Sequence, residues 1–368
     1  MAITRNTIGV LAASGILALG VAACGSSGKK PATNASSTTG SGGSYTANGA
    51  GSTFAAPIYQ QFGNALKSQG TTIDYNPVGS GDGVAELIAG TTDFAGTDPP
   101  LKDSEVKQAE RKGTPVHFPI AFGAITVSYN LSGVGTGLKL DGPTLAKIFL
   151  GKVKTWNDPA ITGSNPGVKL PSTPITVVHR SDSSGTTKGF TGFLAAVDPA
   201  WKSQVGSDKT VKWPTGTGAK GNDGVAAAIK QTPGAVGYVE QAYALQSGFT
   251  TADVKNAAGR YVAPSLQAAT AAAEGLSVPP DLRFAISNPA NPQAYPITSQ
   301  TFIVVYRDMC RAGITPSAAH GVHNLLAYAL GAGQDVLSQL KYARLPSSLD
   351  AKAKAQLPTL TCNGAKLG

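Results

Sequence analysis

One junction limits what this chain can fold into, because small polar residues connect a β-type run directly to a helical pattern. The β-branched residues of 175–178 precede an octapeptide at 180–187 that contains only Arg, Asp, Ser, Gly and Thr. Backbone N–H groups are unpaired where a helix begins, and the helix dipole favours negative charge at that end. The junction therefore predicts an α/β fold with an anion-binding point between this strand and this helix.

Four residues of the junction carry the donors that an oxyanion requires. Arg180 offers a planar fork of N–H groups that matches an oxyanion with two parallel hydrogen bonds. The hydroxyls of Ser184 and Thr186 can also donate, and Gly185 lets its backbone approach a ligand closely because it has no side chain. The same octapeptide also fits an ordinary Ser-rich helix N-cap beside a surface arginine, so other segments must decide.

Similar junctions recur in the N-terminal part of the chain. A Gly-rich loop that starts at 47 leads into a helical pattern from 58 and carries Ser52, Thr53 and Phe54. A strand predicted at 72–78 is followed by a glycine-rich loop with Ser80 and by a second helical pattern. A short strand predicted from 92 ends at two prolines with Asp98 at its tip. The recurrence supports strand–loop–helix units that converge on one site.

The chain has 368 residues, which is more than one hydrophobic core ordinarily serves, so we expect two α/β lobes. The apolar run 117–129 is long enough to leave one lobe and enter another, and we place the crossover near Thr126. A return strand is predicted at 301–306. The predicted lobes are therefore 46–126 plus 295–368, and 127–294, with a shared cleft.

The N-terminal segment predicts export. Residues 1–23 contain Arg5 and then an apolar run, which is typical of a secretory signal. The tetrapeptide 21–24 resembles a bacterial lipobox, which predicts a lipid on Cys24 at the new N-terminus; the alternative is an apolar anchor with a chance cysteine. Residues 24–45 are rich in Gly, Ser and Thr and predict a flexible tether. The globular body would then be held at the outer face of the cytoplasmic membrane.

The remaining cysteines and the charge are consistent with an exported protein. Of three cysteines, Cys310 and Cys362 remain beside Cys24, and in an oxidising compartment we expect them to be bridged rather than two unrelated buried thiols. The net charge is +9, or +8 without the signal and its Arg5. The basic residues are scattered without an aromatic stripe, so attraction of small anions or of an acidic envelope surface is favoured over nucleic acid.

Three motifs suggest other chemistry and are set aside. Residues 216–221 match G-x-G-x-x-G, but a poor strand precedes them, so a flexible turn is favoured over a dinucleotide site. His320 and His323 lie one helical turn apart without further metal ligands nearby. Ser184 lacks a hydrolase motif and a nearby histidine, although a catalytic triad does not require proximity in sequence. We therefore predict no metal, no cofactor and no catalytic residue.

The assembled segments resemble the phosphate-binding protein of bacterial high-affinity phosphate ABC transporters. The resemblance extends from Gly49 to about Leu345 and rests on the segments 49–57, 79–84, 93–98, 180–186 and 220–225. It implies a two-lobed periplasmic-binding-protein fold of type 2 with a hinge and a ligand cleft between the lobes. It also implies a monomer that binds inorganic phosphate, catalyses no reaction and delivers its ligand to a membrane permease.

The resemblance also implies a set of ligand-binding residues, because every motif position that holds phosphate in that family is filled here. These positions are Thr53, Phe54 through its backbone, Ser80, Asp98, Arg180, Ser184, Gly185 and Thr186. Ser52 is a possible further contact, since its loop must pass close to the anion. The chain departs from the family pattern at neighbouring residues, namely Thr97, Pro99 and Ser183.

Two other functions are compatible with such a scaffold. A binder of another oxyanion, such as sulfate or molybdate, would have little use for a carboxylate at Asp98. A phosphate-ester hydrolase would need an activated nucleophile or a metal, and the sequence contains no such set. Competition between anions tests the first alternative, and incubation with a phosphate ester tests the second.

Overall fold

The computed structural model describes residues 44–368, in which strands and helices alternate along much of the chain. The predicted signal 1–23, the predicted lipidation site Cys24 and nearly all of the predicted tether 24–45 lie outside the described residues. The strands are β1 (Tyr45–Gly51), β2 (Thr71–Asn76), β3 (Phe94–Thr97), β4 (Pro115–Tyr129), β5 (Lys139–Leu140), β6 (Thr176–Arg180), β7 (Thr217–Ala219), β8 (Ala235–Glu240), β9 (Thr250–Thr251), β10 (Asp253–Lys255), β11 (Tyr261–Val262), β12 (Thr298–Tyr306), β13 (Thr361–Cys362) and β14 (Ala365–Lys366). The helices are α1 (Ala56–Lys67), α2 (Ser80–Ala89), α3 (Asp103–Ala109), α4 (Gly142–Phe149), α5 (Pro159–Thr162), α6 (Gly185–Val197), α7 (Pro199–Gln204), α8 (Gly221–Gln231), α9 (Gln241–Ser247), α10 (Leu266–Ala273), α11 (Pro316–Leu330), α12 (Gly333–Val336) and α13 (Ser347–Gln356).

The main sheet contains nine strands among the described residues, and its order is β2-β1-β3-β12-β4-β8-β6-β7, with β9 also paired to β4. At one end β1 is parallel to β2 and β3, and at the other end β6 is parallel to β7 and β8. The strands between these parallel groups, β12 and β4, are antiparallel to their neighbours. We call the part of the fold built on β1, β2 and β3 the first lobe, and the part built on β6, β7 and β8 the second lobe.

Strand β4 connects the two lobes. It has 15 residues, of which all but Pro115 are buried. It pairs with β12 as far as Ala124 and with β8 from Ile125 onward, so one strand belongs to both halves of the sheet. The predicted crossover residue, Thr126, lies in the part of β4 that pairs with β8. The α/β class predicted from the sequence is confirmed, and the run 117–129 lies within this connecting strand.

Two glycine-rich segments form strands where the sequence analysis predicted a loop and a turn. The segment 47–51 lies in β1, between β2 and β3, because its small residues fit under aromatic side chains; a Cβ added at Gly49 would overlap the Phe94 ring. The segment 216–221 contains the short edge strand β7. In both cases tertiary packing outweighs the low strand propensity of glycine.

The C-terminal part of the chain is fastened by a disulfide. Cys310 and Cys362 are bonded, with Cα atoms 4.7 Å apart and a sequence separation of 52. Beside this bond, the N–H of Met309 donates to the carbonyl of Thr361 at 2.9 Å. The bond therefore ties the segment after β12 to the β13–β14 hairpin. In the same described part of the chain, no helix is both long and apolar enough to cross a membrane.

We expect the variant Cys310→Ser/Cys362→Ser to unfold more easily than wild type while it retains ligand binding. Chain-entropy estimates for a closed loop of this length give a loss of about 4 kcal/mol in the free energy of unfolding. Urea unfolding of the variant and of reduced wild type measures this loss. Equal stability of oxidised wild type, reduced wild type and the variant would contradict the prediction.

Candidate functional site

The structure brings the nine sequence-predicted site residues together. Ser52, Thr53 and Phe54 lie in the loop between β1 and α1, and Ser80 is the first residue of α2. Of the others, Asp98 follows β3, Arg180 is the last residue of β6, and the remaining three cap or begin α6. The full set is Ser52, Thr53, Phe54, Ser80, Asp98, Arg180, Ser184, Gly185 and Thr186. All nine residues are buried, and none of the side chains is more than 4% exposed.

The carboxylate of Asp98 accepts three hydroxyl hydrogen bonds. Ser52 Oγ donates to its Oδ1 at 2.6 Å, Thr301 Oγ1 donates to Oδ1 at 2.9 Å, and Ser80 Oγ donates to Oδ2 at 3.2 Å. The start of α6 packs directly against this group, because a Cβ added at Gly185 would collide with Oδ2 of Asp98. Only glycine therefore allows the first lobe's carboxylate and the second lobe's helix to approach so closely.

Thr301 was missed by the sequence analysis. It lies in β12, where a bulge between Thr301 and Phe302 leaves Ile120 of β4 without a paired residue, next to Pro119. The neighbouring Gln300 donates through Nε2 to the Asp98 carbonyl at 2.7 Å. The available signal was four polar residues, 298–301, at the start of a strand that is otherwise apolar.

Burial raises the pKa of Asp98 to about 6, while the hydrogen bonds from Ser52, Thr301 and Ser80 and the charge of Arg180 act in the opposite direction. Desolvation penalises the ionised form, and hydroxyl donors favour it. At neutral pH the carboxyl is therefore mainly ionised and acts as a hydrogen-bond acceptor. The Asp98 carboxylate is thus a hydrogen-bond acceptor in a site whose other groups are mostly hydrogen-bond donors.

Arg180 is held by a second residue that the sequence analysis missed. Its Nε donates to Asp182 Oδ1 at 2.7 Å, and its Nη2 pairs with Asp182 Oδ2. The sequence analysis expected the fork to meet the anion, but the Nε and Nη2 edge is occupied by Asp182. Nη1 instead points toward Thr186, with 3.4 Å between Nη1 and Thr186 Oγ1. Although burial acts to raise it, the hydrogen bonds and charge of Arg180 hold the pKa of Asp182 below its usual value.

Two loops present backbone N–H groups to the cleft. Ser184 caps α6, since its Oγ accepts from the N–H of Thr187 at 3.0 Å. Within residues 44–368, the N–H groups of Gly185 and Thr186 donate to no protein acceptor, and the same holds for Thr53 and Phe54 before α1. Unpaired N–H groups at helix starts are favourable partners for an anion.

Asn222, at the start of α8, lies between these two loops. Its Nδ2 is 2.9 Å from Thr53 Oγ1 and 3.1 Å from Thr186 Oγ1, and it is completely buried. Asn222 belongs to the segment 220–225, which carries part of the family resemblance, but the sequence alone predicted no site role for it. The signal that could have found it was this motif together with the start of a predicted helix.

The lobes contact each other on the rim of the cleft, which is closed. The N–H of Gly81 donates to the carbonyl of Ser183 at 2.9 Å. Two ion pairs also cross from the N-terminal end of α3 to the segment before β7: Lys102, which precedes α3, pairs with Asp208 at 2.6 Å, and Glu105 pairs with Lys209 at 2.5 Å. The carbonyl of Lys209 accepts from the N–H of Ser184 at 2.9 Å, which connects the rim to the cap of α6.

The donor set suits a compact oxyanion that still carries a proton. Hydroxyls, N–H groups and one guanidinium can surround such an ion, and the Asp98 carboxylate can accept a hydrogen bond from its protonated oxygen. In the part of the chain that the structure describes, no group of three or more His, Cys, Asp or Glu side chains could hold a metal ion. The ring of His320 instead packs beside Tyr45, with centroids 5.3 Å apart.

Comparisons with known proteins show which proteins this chain resembles along most of its length. A PBP superfamily domain model matches residues 34–330. A phosphate-binding protein PstS of Xylella fastidiosa is 40% identical over 313 residues, which cover 83% of each chain. PstS 3 of Mycobacterium leprae is 36% identical over 361 residues, which cover 93% of this chain and 96% of that protein.

A solved structure establishes the fold. The high-affinity periplasmic phosphate-binding protein PfluDING, determined with bound phosphate, superposes with a TM-score of 0.67 at 23% identity. The match covers 84% of this chain and 93% of that chain. The predicted two-lobed periplasmic-binding-protein fold is confirmed.

The raised pKa of Asp98 predicts a pH-dependent stability for the ligand-free protein. The folded value of about 6 lies above the ordinary value of 3.8, so the folded state binds the proton more tightly than the unfolded state does. Stability should therefore fall as pH rises from about 4 to about 6, by about 3 kcal/mol in total. Urea unfolding of wild type and Asp98→Asn across this range measures the effect. The stability difference between the two proteins should change by that amount, and a pH-independent difference would contradict the prediction.

Proposed function

This chain belongs to the PstS family of phosphate-binding proteins, and we propose that it binds inorganic phosphate outside the cytoplasm for delivery to the permease of a phosphate ABC transporter. The observation that carries the proposal is one buried carboxylate, Asp98, among converging donors from both lobes. The relatives are phosphate-binding proteins by name, so we assign no catalytic residue.

The proposed phosphate contacts follow from which hydrogen-bonding groups remain available. The N–H groups of Phe54, Gly185 and Thr186 are unpaired in the described part of the chain, and the hydroxyl of Ser184 uses only its acceptor side, to cap α6. The hydroxyl of Ser80 is already used by Asp98, but its backbone N–H is unpaired in the same residues. The whole proposed set is Thr53, Phe54, Ser80 through its backbone N–H, Asp98, Arg180, Ser184, Gly185 and Thr186. Ser52 completes it indirectly, because its hydroxyl already donates to Asp98 and accepts from the N–H of Ala55 at 3.1 Å.

Asp98 provides the proposed selectivity. At neutral pH phosphate carries one or two protons and can donate a hydrogen bond to the carboxylate. Sulfate carries none, so two acceptors would face each other in a buried site. A site built around such a bond rejects an analogue that lacks it by ~10⁴–10⁵-fold.

We further propose that the protein opens and closes by a hinge. The boundaries we assign are 46–126 plus 295–368 for the first lobe and 127–294 for the second, so the site residues divide between the lobes. Strand β4 connects the lobes, and the contacts across the rim would separate on opening. Closure completes the donor set and excludes water, and a permease can recognise the closed form.

The N-terminal region supplies the proposed location. We propose that residues 1–23 are a signal, that Cys24 is lipidated, and that 24–45 tether a monomeric body to the outer face of the cytoplasmic membrane. The support is the order of Arg5, an apolar run and the lipobox-like segment 21–24.

The first prediction from this proposal concerns Asp98→Asn. We expect wild type to bind phosphate far more tightly than sulfate, and the variant to reduce this preference because an amide can offer either a donor or an acceptor. Titration calorimetry with both anions at one pH and one ionic strength measures the preference. Equal affinities in wild type, or an unchanged preference in the variant, would show that Asp98 does not select the ligand.

The second prediction concerns Arg180→Lys. The variant keeps the charge but cannot hold the two-point pair with Asp182 and still reach the cleft, so we expect a loss of roughly 1.5–3 kcal/mol in phosphate binding. Phosphate calorimetry measures this loss. Arg311→Lys is the matched control, because Arg311 is largely exposed on the surface and pairs only with Asp308 among the described residues. Unchanged affinity for Arg180→Lys would remove Arg180 from the site.

A further inference from the structure

Asn222 lies where the two lobes meet around the site. It is the second residue of α8, in the second lobe, and its side chain is completely buried. Its Nδ2 contacts Thr53 Oγ1 of the first lobe at 2.9 Å and Thr186 Oγ1 of the second lobe at 3.1 Å. Its backbone N–H also donates to Thr53 Oγ1, at 3.3 Å. One side chain thus joins a hydroxyl from each lobe.

The orientation of the Asn222 amide is fixed by a third contact. The backbone N–H of Glu240 donates to Oδ1 of Asn222 at 2.9 Å. An N–H group can only donate, so the oxygen of the amide must face Glu240 and the NH₂ group must face the two threonines. Asn222 is therefore a donor to both hydroxyl oxygens.

This arrangement determines where the hydroxyl protons of the threonines can go. The oxygen of Thr53 accepts from the side chain and the backbone of Asn222, and the oxygen of Thr186 accepts from Asn222 and lies 3.4 Å from Arg180 Nη1. A hydroxyl has one proton and two acceptor sites, so each threonine keeps its proton for another acceptor. The oxygens of a bound oxyanion are the acceptors that the proposed site provides.

We propose that Asn222 is a positioning residue for phosphate: it holds the hydroxyls of Thr53 and Thr186 as donors toward the anion and links the two lobes in the closed state. This inference rests on the proposed function. It assigns to Asn222 an action through the threonines, and it requires no contact between Asn222 and the ligand. Because both threonine hydroxyls act as donors, the Asp98 carboxylate is the group that accepts a hydrogen bond from the protonated oxygen of the ligand.

The test compares Asn222→Asp with Asn222→Ala by phosphate calorimetry. The aspartate is isosteric and can still accept from Glu240, but it turns the threonine protons toward itself and away from the ligand. We expect ~10-fold weaker phosphate binding for Asn222→Ala, which removes the hydrogen bonds to the two threonines. For Asn222→Asp we expect phosphate binding to weaken ~100-fold or more, because the threonine hydroxyls would then donate to the aspartate instead of the ligand. A packing role predicts the opposite order, because the aspartate preserves the shape. Equal affinity of wild type and Asn222→Ala would also overturn the proposal, even if the aspartate variant does not fold.

A double-mutant cycle separates the hydroxyl effect from simple charge repulsion. If Asn222 acts through the two threonines, the loss caused by Asn222→Asp should be several-fold smaller in a Thr53→Val background, where only Thr186 still has a proton to turn. Repulsion between a carboxylate and the anion would persist in both backgrounds. Equal losses in the two backgrounds would therefore overturn the proposal.

Asn165→Asp provides the matched control. Asn165 is 5% exposed and also makes three hydrogen bonds, but its partners are backbone atoms of Lys139 and Ile161. We expect this variant to change the stability and to leave the phosphate affinity within about two-fold of wild type. Failure of wild type to bind phosphate would overturn the proposed function itself, whereas wild-type binding with the wrong order of variants would overturn only the role of Asn222.

Discussion

The fold has to accommodate a carboxyl group and a guanidinium where water is excluded. Asp98 and Arg180 are only 1% and 3% exposed, and an unpaired charge at such a position is strongly destabilising. Each is compensated by hydrogen-bonding partners: hydroxyls from three other segments surround Asp98, and Asp182, two residues further along the chain, pairs with Arg180. Because these partners lie in the loop after β1, at the start of α2, in β12 and after β6, the charges require all these elements to meet at one point.

The sequence predicted the elements that carry the site better than the contacts between them. The strand–loop–helix junctions around Ser80 and Ser184 follow local rules of turn chemistry and capping, and both helices begin at those junctions. Thr301, Asp182 and Asn222 were missed because their roles come from partners elsewhere in the chain or from side-chain rotamers. The 47–51 strand was missed for a similar reason, since its glycines pair only where β2, β3 and the Phe94 ring surround them.

The connection between the lobes contains its own irregularity. Strand β12 is buried throughout and pairs with β4 for most of its length, but a bulge interrupts the pairing beside Pro119, which has no N–H to contribute. The bulge lies next to Thr301 and Gln300, and both of these residues bind Asp98. The segment that joins the lobes therefore also holds the Asp98 carboxylate. A change in the twist of β4 and β12 would move this carboxylate, which is the proposed hydrogen-bond acceptor for the ligand.

The two ion pairs on the rim differ in their exposure to solvent, and this difference determines how strongly dissolved salt weakens each of them. The side chains of Lys102 and Asp208 are 47% and 41% exposed, whereas those of Lys209 and Glu105 are 8% and 19% exposed. Dissolved salt screens the outer pair and acts much less on the inner one. As salinity rises, the closed form should lose the outer attraction first and keep the inner pair, which is continuous with the cap of α6. The closed cleft thereby keeps part of its attraction across the rim when the ionic strength of the medium changes.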